Sequence, residues 1–420
     1  MQLKSGRLKL AGFLVLTAVL AACTEKLDNS AGCPILCPSQ SGEIETVTID
    51  AVTLDSTISA LTGLGTETSM LVATRGDTLD ARAIIRFDSI PGRYRRAGAD
   101  TTSIPITAPD SIILRMVVDT VDGKVPGPVT LDLYDVDSDA ADSLVAEIAA
   151  LFTPARLITS ATFEKTALKD TIRVTMPSSA ILNRLDRRLR IGIRARGPQS
   201  VQLRIISQEG GGSPTQLSFR PVADTTVAKI VLLPDSRTPT DQPALALSLA
   251  DYTLLVRGTA TGPATGLNIG GLPARRVYLR FNIPSFLVDS VDVVRATLLL
   301  TQIVNPGIDP TDTVRIIPLV SLATTAVSDV AKAAQITAIA NSDTLEVEPG
   351  SSGVRGLEIA QVIGLWRTQV ATETPRALVL VSILEGNSPL EARFHSTEAA
   401  PDLRPRLRIS YSTRKSTGLP

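Results

Sequence analysis

The sequence predicts an all-β protein made of two tandem antiparallel β-sandwiches. Three observations carry that expectation. Short β-branched runs of alternating polarity recur along the chain and are broken by Gly, Pro, Asp and Asn, the spacing of antiparallel strands. Helical patterns are few; the best are Ala140–Leu151 and Leu357–Gln369, and neither is long enough to organise a domain. Two ordered motifs occur twice, which points to duplication of one strand-rich unit.

At the start, Lys4, Arg7 and Lys9 precede an apolar run from Leu10 to Leu20, which ends in Leu20-Ala21-Ala22-Cys23. A charged region, a short apolar stretch and small residues before a cysteine read as a lipoprotein signal, so residues 1–22 are expected to be removed and Cys23 to carry lipid. The run is far short of the roughly 20 residues that span a bilayer. A membrane, held through lipid on Cys23, is therefore an expected partner. Thr24 rather than Asp follows Cys23, which favours an outer-membrane or cell-surface address over the inner membrane. Residues 23–42 read as a lipidated cysteine and flexible tether, rich in Ser, Gly, Pro and Asn.

Within that tether, Cys33 and Cys37 are the only other cysteines and are candidates for a disulfide in an oxidising compartment. Three residues separate them and no His follows, which argues against a redox or haem motif. A zinc site needs further ligands, and the chain has one His. No metal or cofactor is assigned. Charge is balanced at 42 Lys plus Arg against 42 Asp plus Glu, without the basic block that follows a phosphate backbone, so nucleic acid is not an expected partner.

Folding is expected to begin near Glu43, with strands such as Thr46–Ile49, Ile112–Val118 and Val129–Tyr134. Arg82-Ala-Ile-Ile-Arg-Phe-Asp-Ser-Ile-Pro91 recurs as Arg276-Val-Tyr-Leu-Arg-Phe-Asn-Ile-Pro284, and each precedes an Asp-Ser-hydrophobic strand at Asp110 or Asp289. Further on, Leu203-Arg-Ile-Ile-Ser-Gln-Glu209 is echoed by Ala392-Arg-Phe-His-Ser-Thr-Glu398, each leading to a last strand. The expected domains are 43–221 and 222–412, within ordinary domain size, followed by a tail at 413–420.

At these motifs the chain resembles the DNRLRE family of extracellular domains, which is similar to carbohydrate-binding jelly-roll modules. The resemblance rests on Leu279-Arg280-Phe281-Asn282, Pro284 and Ala296-Thr297-Leu298-Leu299-Leu300, and on Phe394-His395-Ser396-Thr397-Glu398, Pro405-Arg406-Leu407 and Tyr411. Thr344–Glu348 followed by Leu365-Trp366 also looks like the family's strand and Trp-bearing turn. The first copy departs more, with an insertion at Arg93–Pro109, no equivalent Trp and a Gly210-Gly211-Gly212 stretch. The resemblance implies jelly-roll-like sandwiches and structural, not catalytic, motifs.

Side chains alternate faces along a strand, so Val277, Leu279 and Phe281 are expected in the core and Arg276, Tyr278 and Arg280 on the opposite face. That second row is the candidate ligand face: an aromatic ring between guanidinium groups suits a sugar or an acidic polysaccharide. The alternative is a solvated face of cross-strand ion pairs. With 3% aromatic residues and one Trp, Trp366 is expected in a core or turn. Ala392 and Phe394 should face the core, with Glu391, Arg393 and His395 opposite. Asp135-x-Asp137-x-Asp139 resembles the opening of a calcium loop, but Ala140 stands where Gly is needed and Glu147 lies one residue past the closing position, so an acidic strand-to-helix connection is the preferred reading. No nucleophile elbow, metalloprotease helix or phosphate loop occurs, and no catalytic residue is assigned. Three function classes follow: a non-catalytic envelope module that binds polysaccharide or another envelope protein, a structural or adhesin-like spacer, and a glycan-active enzyme with a carboxylate pair distant in sequence.

Overall fold

The computed structural model describes residues 44–413 apart from 61–64, 66, 97–101, 125–126, 199, 212–213, 237–248, 260–265, 306–311, 324, 327–336, 340–342 and 369–374. Cys23, Cys33 and Cys37, with the expected signal, the tether and all but the first residue of the tail, lie outside the described residues.

The first copy opens with β1 (Ile44–Ile49) and β2 (Val52–Ser59), then the hairpin β3 (Ser69–Arg75) and β4 (Leu79–Phe87). A short pair, β5 (Arg93–Tyr94) and β6 (Ile104–Pro105), occupies the insertion. Long β7 (Asp110–Lys124) leads to β8 (Val129–Asp135), helix α1 (Val145–Ala149) and β9 (Leu157–Phe163). The copy closes with β10 (Thr171–Thr175), one-turn helix α2 (Ser179–Leu182), β11 (Leu189–Arg196), β12 (Val201–Ile206) and β13 (Gln216–Arg220).

The second copy repeats that order. It runs β14 (Ile230–Leu232), β15 (Asp251–Arg257), β16 (Gly266–Gly270), β17 (Arg275–Phe281) and long β18 (Val291–Ile303). Then come β19 (Val314–Ser321), β20 (Thr337–Ile339), β21 (Leu345–Val347), β22 (Gly353–Glu358) and helix α3 (Ala360–Thr368). Strands β23 (Arg376–Ser382), β24 (Glu391–His395) and β25 (Arg406–Thr413) finish it. Both helices are shorter than the periodicity predicts, because Ala140–Leu144 connects strand to helix and Leu357 belongs to β22.

Two large antiparallel sheets result, neither closed, in an all-β sandwich fold, and their strand orders correspond position by position. The first runs β14-β13-β7-β12-β3-β4-β11-β8-β9; the second runs β1-β25-β18-β24-β16-β17-β23-β19-β20. Alternation explains the cores. Val277, Leu279 and Phe281 are buried with Ala392 and Phe394 in the second core, while Ala83, Ile85 and Phe87 are buried in the first. Long β7 and β18 each pair with three strands, β7 with β10, β12 and β13 and β18 with β22, β24 and β25.

Pairing crosses the boundary expected between residues 221 and 222. Strands β1 and β2 belong by sequence to the first copy, but they pair with β25 and β17 of the second. Strand β15 belongs to the second copy and pairs with β4 of the first, and β14 pairs with β13. Each sheet is thus completed by strands that precede the other in sequence. The exchange is reciprocal, so the contiguous spans 43–221 and 222–412 are copies in sequence but not self-contained sheets.

Candidate functional site

Strand β17 carries the predicted ligand row, and the structure separates its three residues. Arg276 is ion-paired with Glu385, its Nη2 2.6 Å from Oε2. Tyr278 is fully buried against Ile58, Ala323, Ala377, Val379 and Val381, so the expectation of an exposed ring is corrected. The cause is that the second face is apolar as well: Ile58 of β2 and Ala377, Val379 and Val381 of β23 flank the ring in the sheet, and Ala323 after β19 packs with them. Burial pushes the phenol up from its ordinary value, and its hydroxyl has no hydrogen-bond partner among the described residues. Such a ring packs; it offers no stacking platform.

Arg280 alone of the three is exposed, in an open cleft of about 410 Å³ lined by Thr53, Leu54, Phe281, Asn282 and Pro375. Its counterpart in the first copy clarifies its state. Arg86, at the matching place in the repeated motif, is fully buried and makes a two-pronged pair with Asp88 two residues on. Asn282 stands where Asp88 stands in that motif, so the second copy lacks the built-in carboxylate. No carboxylate among the described residues pairs with Arg280.

On β24, Glu391 receives Arg275 at 3.0 Å and Arg393 at 2.7 Å. Arg275 reaches over β16 and Arg393 lies two residues along β24 itself, and Glu391 is buried, so the expected wet face of ion pairs between neighbouring strands is not what forms here. His395 is half-buried on that same face, with Phe394 in the core. Trp366, in α3, is buried and packs 5.3 Å from the Phe281 ring.

The acidic triplet after β8 is neutralised by arginines, not left open for a cation. Arg184 reaches Asp135 and lies 2.7 Å from Asp137, and Arg188 lies 2.5 Å from Asp137 and 3.5 Å from Asp139. Arg156 Nη1 donates to the carbonyls of Asp135 and Asp137. Of these, Asp135, Arg156 and Arg184 line one side of a cleft of about 370 Å³ with Asn183 and Ser179 of the α2 region. Among the described residues no cluster of acidic, His or Cys side chains could hold a metal ion.

The most elaborate polar chemistry sits where the exchanged strands dock, and sequence reasoning missed it. In β15, Asp251 Oδ2 accepts the amide of Gln208 at 3.0 Å and Thr253 Oγ1 accepts the amide of Leu71 at 2.8 Å. In β2, Asp55 Oδ2 accepts the amide of Thr397 at 2.6 Å and Thr57 Oγ1 accepts that of Asn268 at 3.0 Å. Asp251 lies opposite Ile85 and Asp55 opposite Leu279, matching positions of the repeated strand. The duplicated Ser-x-Glu motif is therefore a donor turn: the amide after Ser207 or Ser396 donates to the carboxylate of a strand from the other copy. The signal was legible as Asp-x-Thr at 55–57 and again at 251–253.

The first copy adds a buried network beneath β15. Asp142 accepts from Arg190 Nη1 at 2.9 Å, from the Tyr252 hydroxyl at 3.1 Å and from the Leu249 amide at 3.2 Å. Buried ions are retained only when paired and hydrogen-bonded in this manner. Asp251 is different: burial pushes its carboxyl up to about 7, and repulsion from Glu209 and Glu67 adds to that, against the Gln208 amide that favours its charge.

No protein-family model matches the chain, and no curated protein matches it. Function is accordingly argued from the site itself.

Proposed function

We propose that this is a lipid-anchored cell-envelope protein, attached through Cys23 at the outer membrane or cell surface, whose two β-sandwich units form a non-catalytic display module. Its kinship with the DNRLRE and carbohydrate-binding jelly-roll families is part of the proposal and is supported by the matching positions of the Arg-Phe strand and the Ser-x-Glu turn in both copies. The observation that carries the reading is the reciprocal strand exchange. Strands next to the tether are built into the distal copy, so the anchored end of the chain is held to the second sheet by β1 and β2 and to the first by the chain that continues into β3. A spacer or presenting scaffold needs that property; an enzyme has no special use for it. The test is labelling of cells with an alkyne fatty acid: the wild type should take up the label and Cys23→Ser should not. A wild type that takes up no label would sink the anchor assignment.

A second reading has its own support. Arg280 is an exposed guanidinium whose counterpart in the first copy is filled by Asp88, which suits it to a carboxylate supplied from outside, as an acidic polysaccharide would supply it. Tyr278 has no part in such a site, so the stacking element of the sequence expectation is withdrawn. Gel retardation in a polyuronate matrix tests it: Arg280→Ala and Asn282→Asp should both abolish retardation, the second by restoring an internal partner. Equal migration of wild type and both variants rejects it.

A further inference from the structure

We propose that chains associate by exchanging their β1–β2 arms, the partner being a second copy of this chain. The structure already performs the exchange once, between copies of one chain, and the acceptor sites on β4 and β17 read the same pair of anchors. Only one of the two donor segments is free to swap between molecules. In sequence β15 lies between β14, which pairs with β13, and β16 of the second sheet, whereas among the described residues β1–β2, paired with β25 and β17, continues only into β3.

The vacated site would demand an occupant. Ala51 and Val52 sit in the second core, Ile58 covers Tyr278, and the Tyr411 hydroxyl donates to Glu45 at 2.7 Å. An arm from another molecule restores every one of these contacts, so exchange carries no enthalpic penalty and is opposed mainly by the proximity of the chain's own arm. Reciprocal exchange closes a two-fold dimer, in which each chain completes the other's second sheet. Anchoring both chains to one surface would raise their mutual concentration and weaken the advantage of the chain's own arm.

Thr46 and Ser410 face each other across β1 and β25, with hydroxyl oxygens 2.9 Å apart, and give a direct test. In a chain with Cys23, Cys33 and Cys37 changed to Ser, Thr46→Cys and Ser410→Cys are made separately, mixed, warmed near the unfolding transition, cooled and oxidised. The expected result is a disulfide-linked species of two chains, several-fold more abundant than from Thr46→Cys mixed with Ser352→Cys on an exposed turn. Light scattering of the cysteine-free chain after the same treatment should show dimer. Crosslinked dimer no more abundant than in the control pair overturns the proposal, and so does a cysteine-free chain that stays wholly monomeric after warming; a double variant that closes within one chain confirms that the geometry permits the bond.

Discussion

Asp251 makes the docking of β15 sensitive to pH, and Asp251→Asn isolates that effect. The carboxyl is 1% exposed, and burial with the neighbouring Glu209 and Glu67 raises it from 3.8 to about 7. At about 1.36 kcal/mol per pH unit, that gap is worth about 4 kcal/mol. The sign follows from proton binding: the folded state holds a proton that the unfolded chain has already released. The contribution is therefore complete below about pH 4, declines as pH rises to about 7, and is gone above that. Asn keeps an oxygen for the Gln208 amide and has no charge to desolvate. Urea unfolding at about pH 4, 5.5, 7 and 8 should show wild type losing up to about 4 kcal/mol more than the variant across this interval, with the variant the more stable at about pH 8. Other shifted carboxyls, such as Asp88, raised by burial, and Asp132, lowered overall by its bonds from Arg196 and Ser160 despite the burial that opposes them, are common to both proteins and cancel in the difference. Parallel stability profiles for the two, or a variant weaker at about pH 8, would refute the reasoning.

Three further outcomes are expected. Asp142→Ala leaves the guanidinium of Arg190 buried without its carboxylate and should cost about 3–5 kcal/mol in urea unfolding, with Tyr252→Phe costing about 1 kcal/mol at the same site. Trp366→Ala empties the space beside Phe281 in the second core and should cost about 3–5 kcal/mol, read as a lowered midpoint at unchanged slope. Calcium and chelator should both leave the Tm unchanged, since Arg184 and Arg188 already balance Asp135 and Asp137; a rise with calcium would show that the cation displaces the arginines.

Much of the fold was legible because alternation is a local property. The apolar faces of Val277-Leu279-Phe281 and Ala392-Phe394 follow from the strand period alone, and the repeated motifs mark matching strands because each keeps its order. The second face of β17 was not legible. Tyr278 is covered by Ala323, Val379 and Val381, far away in sequence, and polar neighbours at 276 and 280 made the strand read as half-wet. Likewise, Asp135 and Asp137 could be read only as an acidic connection, because the arginines that neutralise them lie about 50 residues downstream. Strand partnership was the least accessible feature: Asp55-x-Thr57 and Asp251-x-Thr253 each accept from a matching pair of backbone amides, so local chemistry permits either strand in either sheet.

What selects the exchanged arrangement is then connectivity, not contact chemistry. Both sheets need a strand carrying Asp and Thr beside the Arg-Phe strand, and the same hydrogen bonds form whichever copy supplies it. Placing each strand in the other copy links the two sheets through paired backbone as well as through the covalent chain. Residues Leu71, Ala73, Leu79 and Ala81 of the first sheet also meet Leu272 of the second in a small shared cluster, which supplements that link without the area to replace it. Loss of the second sheet would uncover Leu71, Ala73, Leu79 and Ala81 where Leu272 packs on them and release the chain that leads out of β15, and so lower the stability of the first. Unfolding of the two units should therefore be coupled, and a destabilising change in the second core, such as Trp366→Ala, should lower protection of β4 amides against hydrogen exchange in the first; independent protection of the two sheets would show that the exchanged strands carry little of the linkage.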